Sequence, residues 1–196
     1  MARLGRAGRA DVVKRYRTIV ADPPWEMKRG SNYAWRRGLF SGEQRSLDYP
    51  TLSVTEVAEL PIANLADDDA HLFLWTTQRH LEATPSIARA WGFTPACTLV
   101  WCKPPHGWGP GGAFQSTVEF VIYANRGARR LPKQVPRQWW EWPRGEHSAK
   151  PDAFLDMVEQ HFPAPRLELF ARRARFGWDY WGDQSLGTVE MLDDAT

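Results

Sequence analysis

Short apolar runs alternate along the chain with segments of helical spacing. The runs of strand length are residues 16–21, 71–76, 93–103, 118–124 and 166–172. Residues 79–91 and 152–162 carry apolar side chains at the spacing of one helix face, and Ser53 with Glu56 predicts the capping box of a helix that extends to about Leu65. Strands that alternate with helices predict an α/β fold with a mostly parallel sheet.

The apolar runs also exclude two classes of protein. None approaches the ~20 residues of a membrane-spanning helix, and no apolar segment follows the first charged residues, so neither a membrane protein nor a secretory signal is expected. A length of 196 residues favours one domain, and we expect a basic tail over residues 1–15 followed by a single domain over residues 16–196. Cys97 and Cys102 have no further ligand pair nearby, which predicts no metal site and two core thiols in a reducing, cytoplasmic compartment.

Positive charge is concentrated rather than large. The net charge is only +2, but six Lys and Arg residues lie within residues 126–144, around Trp139, Trp140 and Trp142. Basic groups contact phosphates and aromatic rings stack on bases, so this stretch suits an unstacked or single-stranded nucleic acid. It suits equally a solvated basic face with the tryptophans packed in the core, and the sequence leaves both interpretations open.

The tetrapeptide Asp22-Pro23-Pro24-Trp25 follows the first predicted strand directly. Open α/β sheets bind ligands beyond the carboxyl ends of their strands, which is where this corner is expected. Asp22 offers acceptor oxygens, the two prolines remove N–H donors so that their carbonyls can remain unpaired, and Trp25 supplies a stacking face. These groups suit a flat ring that carries an exocyclic amine. The alternative is a proline-rich turn in which Asp22 caps a local backbone group.

Such a corner has a specific chemical use. An aromatic amine is a poor nucleophile because its lone pair is delocalised into the ring. Two fixed acceptors that hold both N–H groups would draw the nitrogen toward tetrahedral geometry. They would also stabilise the positive charge that develops on nitrogen in the transition state. The corner therefore predicts a reaction in which an exocyclic amine attacks an electrophile.

The wider sequence resembles the N6-adenine methyltransferase family, which includes the eukaryotic mRNA N6-adenosine methyltransferase and its bacterial and phage relatives. The resemblance runs from about Tyr16 to Gln184 and follows the family's motif order. Besides the corner, the segments that carry it are Tyr49-Pro50-Thr51-Leu52-Ser53, Leu72-Phe73-Leu74-Trp75-Thr76, Val100-Trp101-Cys102-Lys103, Glu119, Lys150-Pro151-Asp152, Glu168-Leu169-Phe170-Ala171-Arg172 and Trp181-Gly182-Asp183-Gln184.

This resemblance implies a Rossmann-like fold and transfer of a methyl group from S-adenosylmethionine to adenine N6. The residues it implies for catalysis are Asp22, Pro23, Pro24 and Trp25. Those it implies for cofactor binding are Lys150, Glu168, Phe170, Arg172, Asp183 and Gln184. Those it implies for the base pocket are Tyr49, Trp75, Trp101 and Glu119, of which the last three suit ordinary core equally well. Ala174 and Arg175 depart from the His and Asn of a related eukaryotic member, so cofactor contacts there are expected to differ.

Substrate recognition is expected to come from loops or from a partner. A chain of this length leaves no separate target-recognition domain, so residues 28–48, 104–115 and 126–147, a partner subunit or a second copy would supply specificity. The short bacterial and phage relatives favour DNA as the substrate. RNA adenine methylation and a non-catalytic nucleic-acid-binding subunit are the alternatives.

Overall fold

The computed structural model describes residues 14–26, 50–103, 114, 116–127, 134–143 and 149–182. Three of the predicted site residues, Tyr49, Asp183 and Gln184, lie outside these ranges, as do large parts of the three loops expected to carry specificity. Both ends of the chain also lie outside them. The division into a tail and a single domain therefore stays a prediction.

Strands and helices alternate as the sequence predicts. The strands are β1 (Tyr16–Ala21), β2 (Ala66–Thr76), β3 (Thr94–Cys102), β4 (Val118–Arg126), β5 (Trp139–Glu141), β6 (Arg166–Leu169) and β7 (Trp178–Trp181). The helices are α1 (Val54–Glu59), α2 (Ile62–Leu65), α3 (Thr84–Ala90) and α4 (Asp152–His161).

The strands form one mixed sheet. Their order within it is β5-β3-β4-β2-β1-β6-β7. β1 is parallel to β2 and β6, and the pairs β3–β5 and β6–β7 are parallel as well, whereas β4 is antiparallel to both of its neighbours. The predicted α/β fold with a mostly parallel sheet is confirmed. Because β4 is reversed, it begins at the same edge of the sheet at which the other strands end.

Proline sets two boundaries that the apolar pattern alone misplaces. The helix predicted after Ser53 is two short helices separated at Pro61, whose nitrogen cannot donate a helical hydrogen bond. The capping box is confirmed, with Ser53 N–H donating to Glu56 at 2.8 Å and Glu56 N–H donating to Ser53 at 3.3 Å. The helix predicted over residues 79–91 begins only at Thr84, with a proline in its first turn.

Four features of the sheet differ from the sequence-based prediction. β2 begins at Ala66 rather than at residue 71, because three consecutive aspartates interrupt the apolar pattern at its start. The edge strands β5 and β7 were not predicted, because runs of three or four residues rich in tryptophan are too short to show a strand period. β6 ends at Leu169 rather than at residue 172. Its end is set by Phe170, whose φ of 64° is incompatible with an extended strand.

Helices cover both faces of the sheet, as expected for parallel strands. On one face, α1, α2 and α3 pack against apolar side chains that include Ile19 and Leu72. On the other face, Phe154 of α4 packs edge-on against Phe73 and Trp75, at ring-centroid distances of 5.7 and 4.8 Å. This second face, covered by α4, is the one on which the predicted site residues of the strands lie.

One arginine ties several elements together far from the predicted corner. The guanidinium of Arg126, at the end of β4, donates to the carbonyl oxygens of Ala63, Trp91 and Gly92 at 3.0–3.1 Å. Gly92 has a φ of 79°, and a Cβ built there would lie 2.2 Å from the guanidinium. Glycine is needed here because any side chain would clash with the guanidinium and because the positive φ favours glycine. Arg126 thus donates to carbonyls of α2 and of the turn that follows α3.

Replacing Arg126 by Met removes these hydrogen bonds and keeps much of the apolar stem. We expect the free energy of unfolding to fall by about 2–4 kcal/mol, because each buried carbonyl left without a donor costs about 1–3 kcal/mol and this site is partly exposed. Urea denaturation measures the change. The matched variant Arg89→Met, at an exposed position of α3, is expected to change it by less than about 0.5 kcal/mol. Equal changes in the two variants would contradict this role.

Candidate active site

The predicted corner lies at the edge of the sheet where the parallel strands end. β1 ends at Ala21, and Asp22 follows it directly. Glu168 is the register partner of Val20 on the neighbouring strand, while Leu167 and Leu169 face the opposite side, so alternation directs Glu168 to the α4 face. β4 begins at this edge. Lys150 lies there as well, immediately before α4 begins. The fold therefore brings residues from distant parts of the sequence to one place.

The two proline carbonyls are hydrogen-bonded, contrary to the expectation that they are unpaired. The Pro23 carbonyl accepts from Trp25 N–H at 2.9 Å, and the Pro24 carbonyl accepts from Leu52 N–H at 2.8 Å. The bond at Pro24 arises because the segment at Leu52 runs parallel to the corner and forms a bridge with Trp25, whereas the bond at Pro23 is made within the corner itself. Each carbonyl oxygen has two lone pairs, so each can accept one further hydrogen bond.

Trp25 anchors the corner instead of presenting an open stacking face. Its side chain is only 6% exposed and belongs to the core that lies under α1–α3. Its indole N–H donates to the Trp75 carbonyl at 3.1 Å, and the His80 ring stacks on it at 4.9 Å. The prediction that Trp25 offers its ring to a planar ligand is not met by this arrangement, because burial and stacking already occupy the ring.

Four charged side chains form an alternating chain that ends at Asp22. The Lys150 ammonium donates to Asp22 Oδ2 at 2.7 Å and lies 3.3 Å from Glu119 Oε2. The other oxygen of Glu119, Oε1, accepts from the Lys103 ammonium at 2.5 Å. The order of charges along the chain is Lys103, Glu119, Lys150 and Asp22, so each positive group neighbours a negative one.

These contacts keep the two central members of the chain charged. Burial alone would lower the pKa of Lys150, but the carboxylates of Asp22 and Glu119 raise this pKa above its usual value. Burial would also raise the pKa of Glu119, but the ammonium groups of Lys150 and Lys103 hold it below its usual value. An ammonium and a carboxylate therefore face each other at neutral pH beside Asp22.

Trp75 and Trp101 form the floor beneath the two lysines. Both indoles are buried, and their rings meet edge to face at 6.0 Å. The Lys150 ammonium lies 5.2 Å from the ring centroid of Trp75, and the Lys103 ammonium lies 5.3 Å from that of Trp101. A cation above an aromatic face is attracted to the negative face of the ring. The structure thus favours the core alternative for both tryptophans over direct contact with a base.

Glu168 faces a pocket beside the corner. The pocket has a volume of about 440 Å³, and its lining includes Glu168, Asp152 from the start of α4, and Arg173 and Arg175 from the segment after β6. Arg175 is held by ion pairs with residues of α4. Burial and the nearby charge of Asp22 raise the pKa of Glu168 to about 7, although Arg175 opposes the shift.

Phe170 and Arg172 are separated by the turn that ends β6. Phe170 packs edge to face against Trp181 at a ring-centroid distance of 5.2 Å, on the face of the sheet that α1–α3 cover. Arg172 is exposed. Gly182 lies close beside this turn, where an added Cβ would be 2.4 Å from the Ala171 carbonyl. Their predicted contacts with a cofactor remain predictions.

The structure brings together Asp22, Glu119 and Lys150, which were predicted as site residues in three separate roles, and adds two residues that the sequence-based prediction did not assign. Lys103 belongs to a segment already singled out, but its partner was not apparent from the sequence. Arg175 was noted only as a departure from a related pattern. The sequence offered one signal for Lys103, which is its position directly after the predicted β3 segment. In the structure β3 pairs with β4 so that Trp101 lies opposite Glu119, and this brings Lys103 close to Glu119.

Within the described ranges, no group of three or more His, Cys, Asp and Glu side chains is arranged to hold a metal ion. In the same part of the chain, no helix has the length and apolar character needed to cross a membrane.

Comparison with known proteins gives a family match across most of the chain. The profile of the MT-A70 family matches residues 16–184. The Type II methyltransferase M.MunI of Mycoplasma sp is 34% identical over 183 residues, which cover 86% of this chain and 77% of that protein.

Eukaryotic relatives match over a similar part of this chain but are much longer. The N(6)-adenosine-methyltransferase MT-A70-like protein of Arabidopsis thaliana is 26% identical over 199 residues, which cover 97% of this chain and 26% of that protein. The N(6)-adenosine-methyltransferase catalytic subunit METTL3 of Homo sapiens is 28% identical over 203 residues, which cover 93% of this chain and 30% of that protein. This chain thus spans between a quarter and a third of these two relatives.

The raised pKa of Glu168 predicts a specific dependence of stability on pH. Its folded pKa of about 7 lies above the ordinary glutamate value of 4.5, so between these pH values the folded state binds more protons and stability falls as pH rises. Glu168→Gln should therefore be more stable than wild type at pH 8, by about 2–3 kcal/mol at about 1.4 kcal/mol per pKa unit. The advantage should shrink toward pH 5.

Urea denaturation at both pH values measures this difference, and Glu82→Gln, at an exposed position, is the control. We expect the control to show no pH-dependent gain. A Glu168→Gln variant that is less stable than wild type at pH 8 would show that the folded state favours the charged carboxylate.

Proposed function

Because the chain belongs to the MT-A70 family, we propose that it transfers a methyl group from S-adenosylmethionine to the exocyclic N6 amine of adenine in DNA. The observation that carries the proposal is the position of Asp22 at the end of β1, beside two proline carbonyls and within a chain of alternating charges. Both the acceptors and the charge balance suit an amine that becomes positive as it reacts.

The corner supplies acceptors for the two hydrogens of the amine. Asp22 has a second carboxylate oxygen, Oδ1, besides the one that Lys150 contacts, and the carbonyls of Pro23 and Pro24 each retain a lone pair. An amine held by two such acceptors is drawn toward tetrahedral geometry, which makes its lone pair available for attack. The same acceptors stabilise the positive charge that develops on nitrogen, so they bind the transition state more tightly than the ground state.

The residues around the corner fit the proposed methyl donor. S-adenosylmethionine carries an amino-acid carboxylate, an amino group and a ribose diol, and it supplies an electrophilic methyl group when bound. The part-buried ammonium of Lys150 suits the carboxylate, and Glu168 in the adjoining pocket suits hydroxyl donors. A volume of about 440 Å³ lies within the range of small-molecule sites, roughly 300–1,000 Å³. Phe170, Arg172, Asp183 and Gln184 complete the proposed cofactor set.

DNA is favoured over RNA by the bacterial relative. The match with the Type II methyltransferase covers 77% of that protein, whereas the matches with the two eukaryotic adenosine methyltransferases cover 26% and 30% of theirs. Access to N6 in a duplex requires the base to leave the stack, which costs a few kcal/mol. RNA methylation is the second candidate, since adenosine methyltransferases are among the relatives.

A partner subunit or a second copy remains part of the proposal. One relative is named as a catalytic subunit, which supports assembly with another chain. The cytoplasmic location expected from the free thiols stays a prediction.

Asp22→Ala tests the corner directly. We expect methyl transfer to fall by about 10²- to 10³-fold, because a group that stabilises transition-state charge contributes on that order. The fold should persist, since Lys150 keeps Glu119 as its partner. The assay incubates the protein with S-adenosylmethionine labelled in the methyl group and, separately, duplex DNA, single-stranded DNA and RNA, and counts label in each nucleic acid.

The matched control is Asp68→Ala, at an exposed position whose carboxylate lies 3.6 Å from the Arg15 guanidinium. It should methylate at the wild-type rate. Near-wild-type transfer by Asp22→Ala would refute the role of the corner, and label that enters RNA alone would replace DNA by the second candidate.

A further inference from the structure

Lys103 was assigned no role by the sequence-based prediction, yet its side chain is bonded to the charge chain of the site. It follows β3 directly, and its backbone N–H donates to the Thr117 carbonyl at 2.7 Å, which fixes it beside the start of β4. From there its ammonium reaches Glu119 Oε1 at 2.5 Å, while the other oxygen, Oε2, faces Lys150 at 3.3 Å. One carboxylate is thus divided between two ammonium groups.

Exposure increases from one end of this chain to the other. The side chain of Lys103 is 13% exposed, that of Glu119 is 21%, that of Lys150 is 23% and that of Asp22 is 28%. Lys103 is therefore the least accessible member, and Asp22 is the most accessible. Trp101 lies below the Lys103 ammonium and limits where it can move. This gradient is the one expected of an anchor at one end and a reacting group at the other.

We propose that Lys103 is a positioning residue for methyl transfer: by holding one oxygen of Glu119, it leaves the other oxygen to fix the Lys150 ammonium against Asp22. The proposal rests on the proposed function of the Asp22 corner. Lys103 itself acts through Glu119 and Lys150 and has no contact with Asp22 among the interactions described for these residues.

Charge balance explains why the anchor matters. With Lys103 present, the four side chains carry two positive and two negative charges. Without it, the single ammonium of Lys150 would have to neutralise both Glu119 and Asp22. A part-buried carboxylate that loses a partner is costly, so Lys150 would be drawn toward Glu119 and its contact with Asp22 would weaken. A displacement of about 1 Å near a reacting group can reduce the rate by about 10²-fold.

The same change alters the proton affinity of Glu119. Its carboxylate faces Lys103 after β3 and Lys150 before α4, with Asp22 on the far side of Lys150. Burial raises the pKa of Glu119, and Lys150 and Lys103 together hold it low. Removal of Lys103 therefore raises the pKa of Glu119. As the pH falls, Glu119 then takes up a proton at a higher pH and no longer holds the Lys150 ammonium from the side opposite Asp22, so the fixed position of Lys150 is lost and the acid limb of the pH–rate profile moves to higher pH.

Lys103→Met and Lys103→Arg, with Arg89→Met as the exposed control, test this role in the full chain. The assay measures kcat, KM for DNA and the pH–rate profile with labelled S-adenosylmethionine. We expect Lys103→Met to lower kcat by about 10- to 100-fold, with a smaller change in KM and an acid limb at higher pH. Lys103→Arg keeps the charge, so its acid limb should lie at the wild-type pH and most of kcat should be retained. The control should match wild type.

A double variant guards against simple loss of folding. Lys103→Met with Glu119→Gln removes both charges of the pair, which is better tolerated than removing one. Urea denaturation should show that this double variant is folded. Its kcat should stay low, and its pH–rate profile should lack an acid limb that depends on Glu119.

The outcomes separate this proposal from the function on which it rests. An active wild type with Lys103→Met unchanged, or with a loss of activity that leaves the acid limb in place, would overturn the positioning role alone. A wild type that methylates none of the three nucleic acids would overturn the proposed function and this role with it.

Discussion

Lys150 carries a part-buried ammonium between two carboxylates, 2.7 Å from Asp22 and 3.3 Å from Glu119. This double contact joins the end of β1 to the start of β4 and to the segment that precedes α4. A buried lysine without such partners would lose its proton, because burial disfavours the charged form. Conversely, the carboxylates lower the cost of their own burial by sharing the same cation. The geometry of the corner therefore depends on the charge of Lys150.

The topology of the sheet is what makes this contact available. Parallel strands end at one edge, so Asp22 and Glu168 are neighbours although they lie far apart in the sequence. The reversed β4 places its first residues at that same edge, which brings Glu119 within reach of Lys150. Helix α4 covers this face through Phe154, which packs on Trp75 directly beneath the Lys150 ammonium. The apolar core and the charged site thus share one tryptophan.

The parts of the site that could be predicted were those that depend on local sequence. A strand followed by two prolines must end, and this placed Asp22 at the end of β1. The partner of the Pro24 carbonyl could not be predicted, because Leu52 reaches it only through tertiary contact. Trp25 illustrates a second limit, since a tryptophan beside a ligand and one buried in the core have the same appearance in a sequence.

The pairing of Lys103 with Glu119 illustrates a third limit. It depends on the register of β3 against β4, where Trp101 lies opposite Glu119, and an antiparallel register cannot be derived from apolar spacing alone. The backbone turn at Phe170, which ends β6 early, was likewise not apparent, because a phenylalanine with a positive φ is rare. In both cases long-range contacts decide the local outcome.

The central claim concerns which amine the corner of Asp22, Pro23 and Pro24 holds. Cytosine also carries an exocyclic amine on a flat ring, so acceptor geometry alone does not separate the two bases. The most direct measurement digests DNA after incubation with methyl-labelled S-adenosylmethionine and resolves the nucleosides by mass. The account predicts that the label is recovered as N6-methyladenine. Recovery of the label as N4-methylcytosine, or the absence of label from every nucleoside of the DNA, would contradict it.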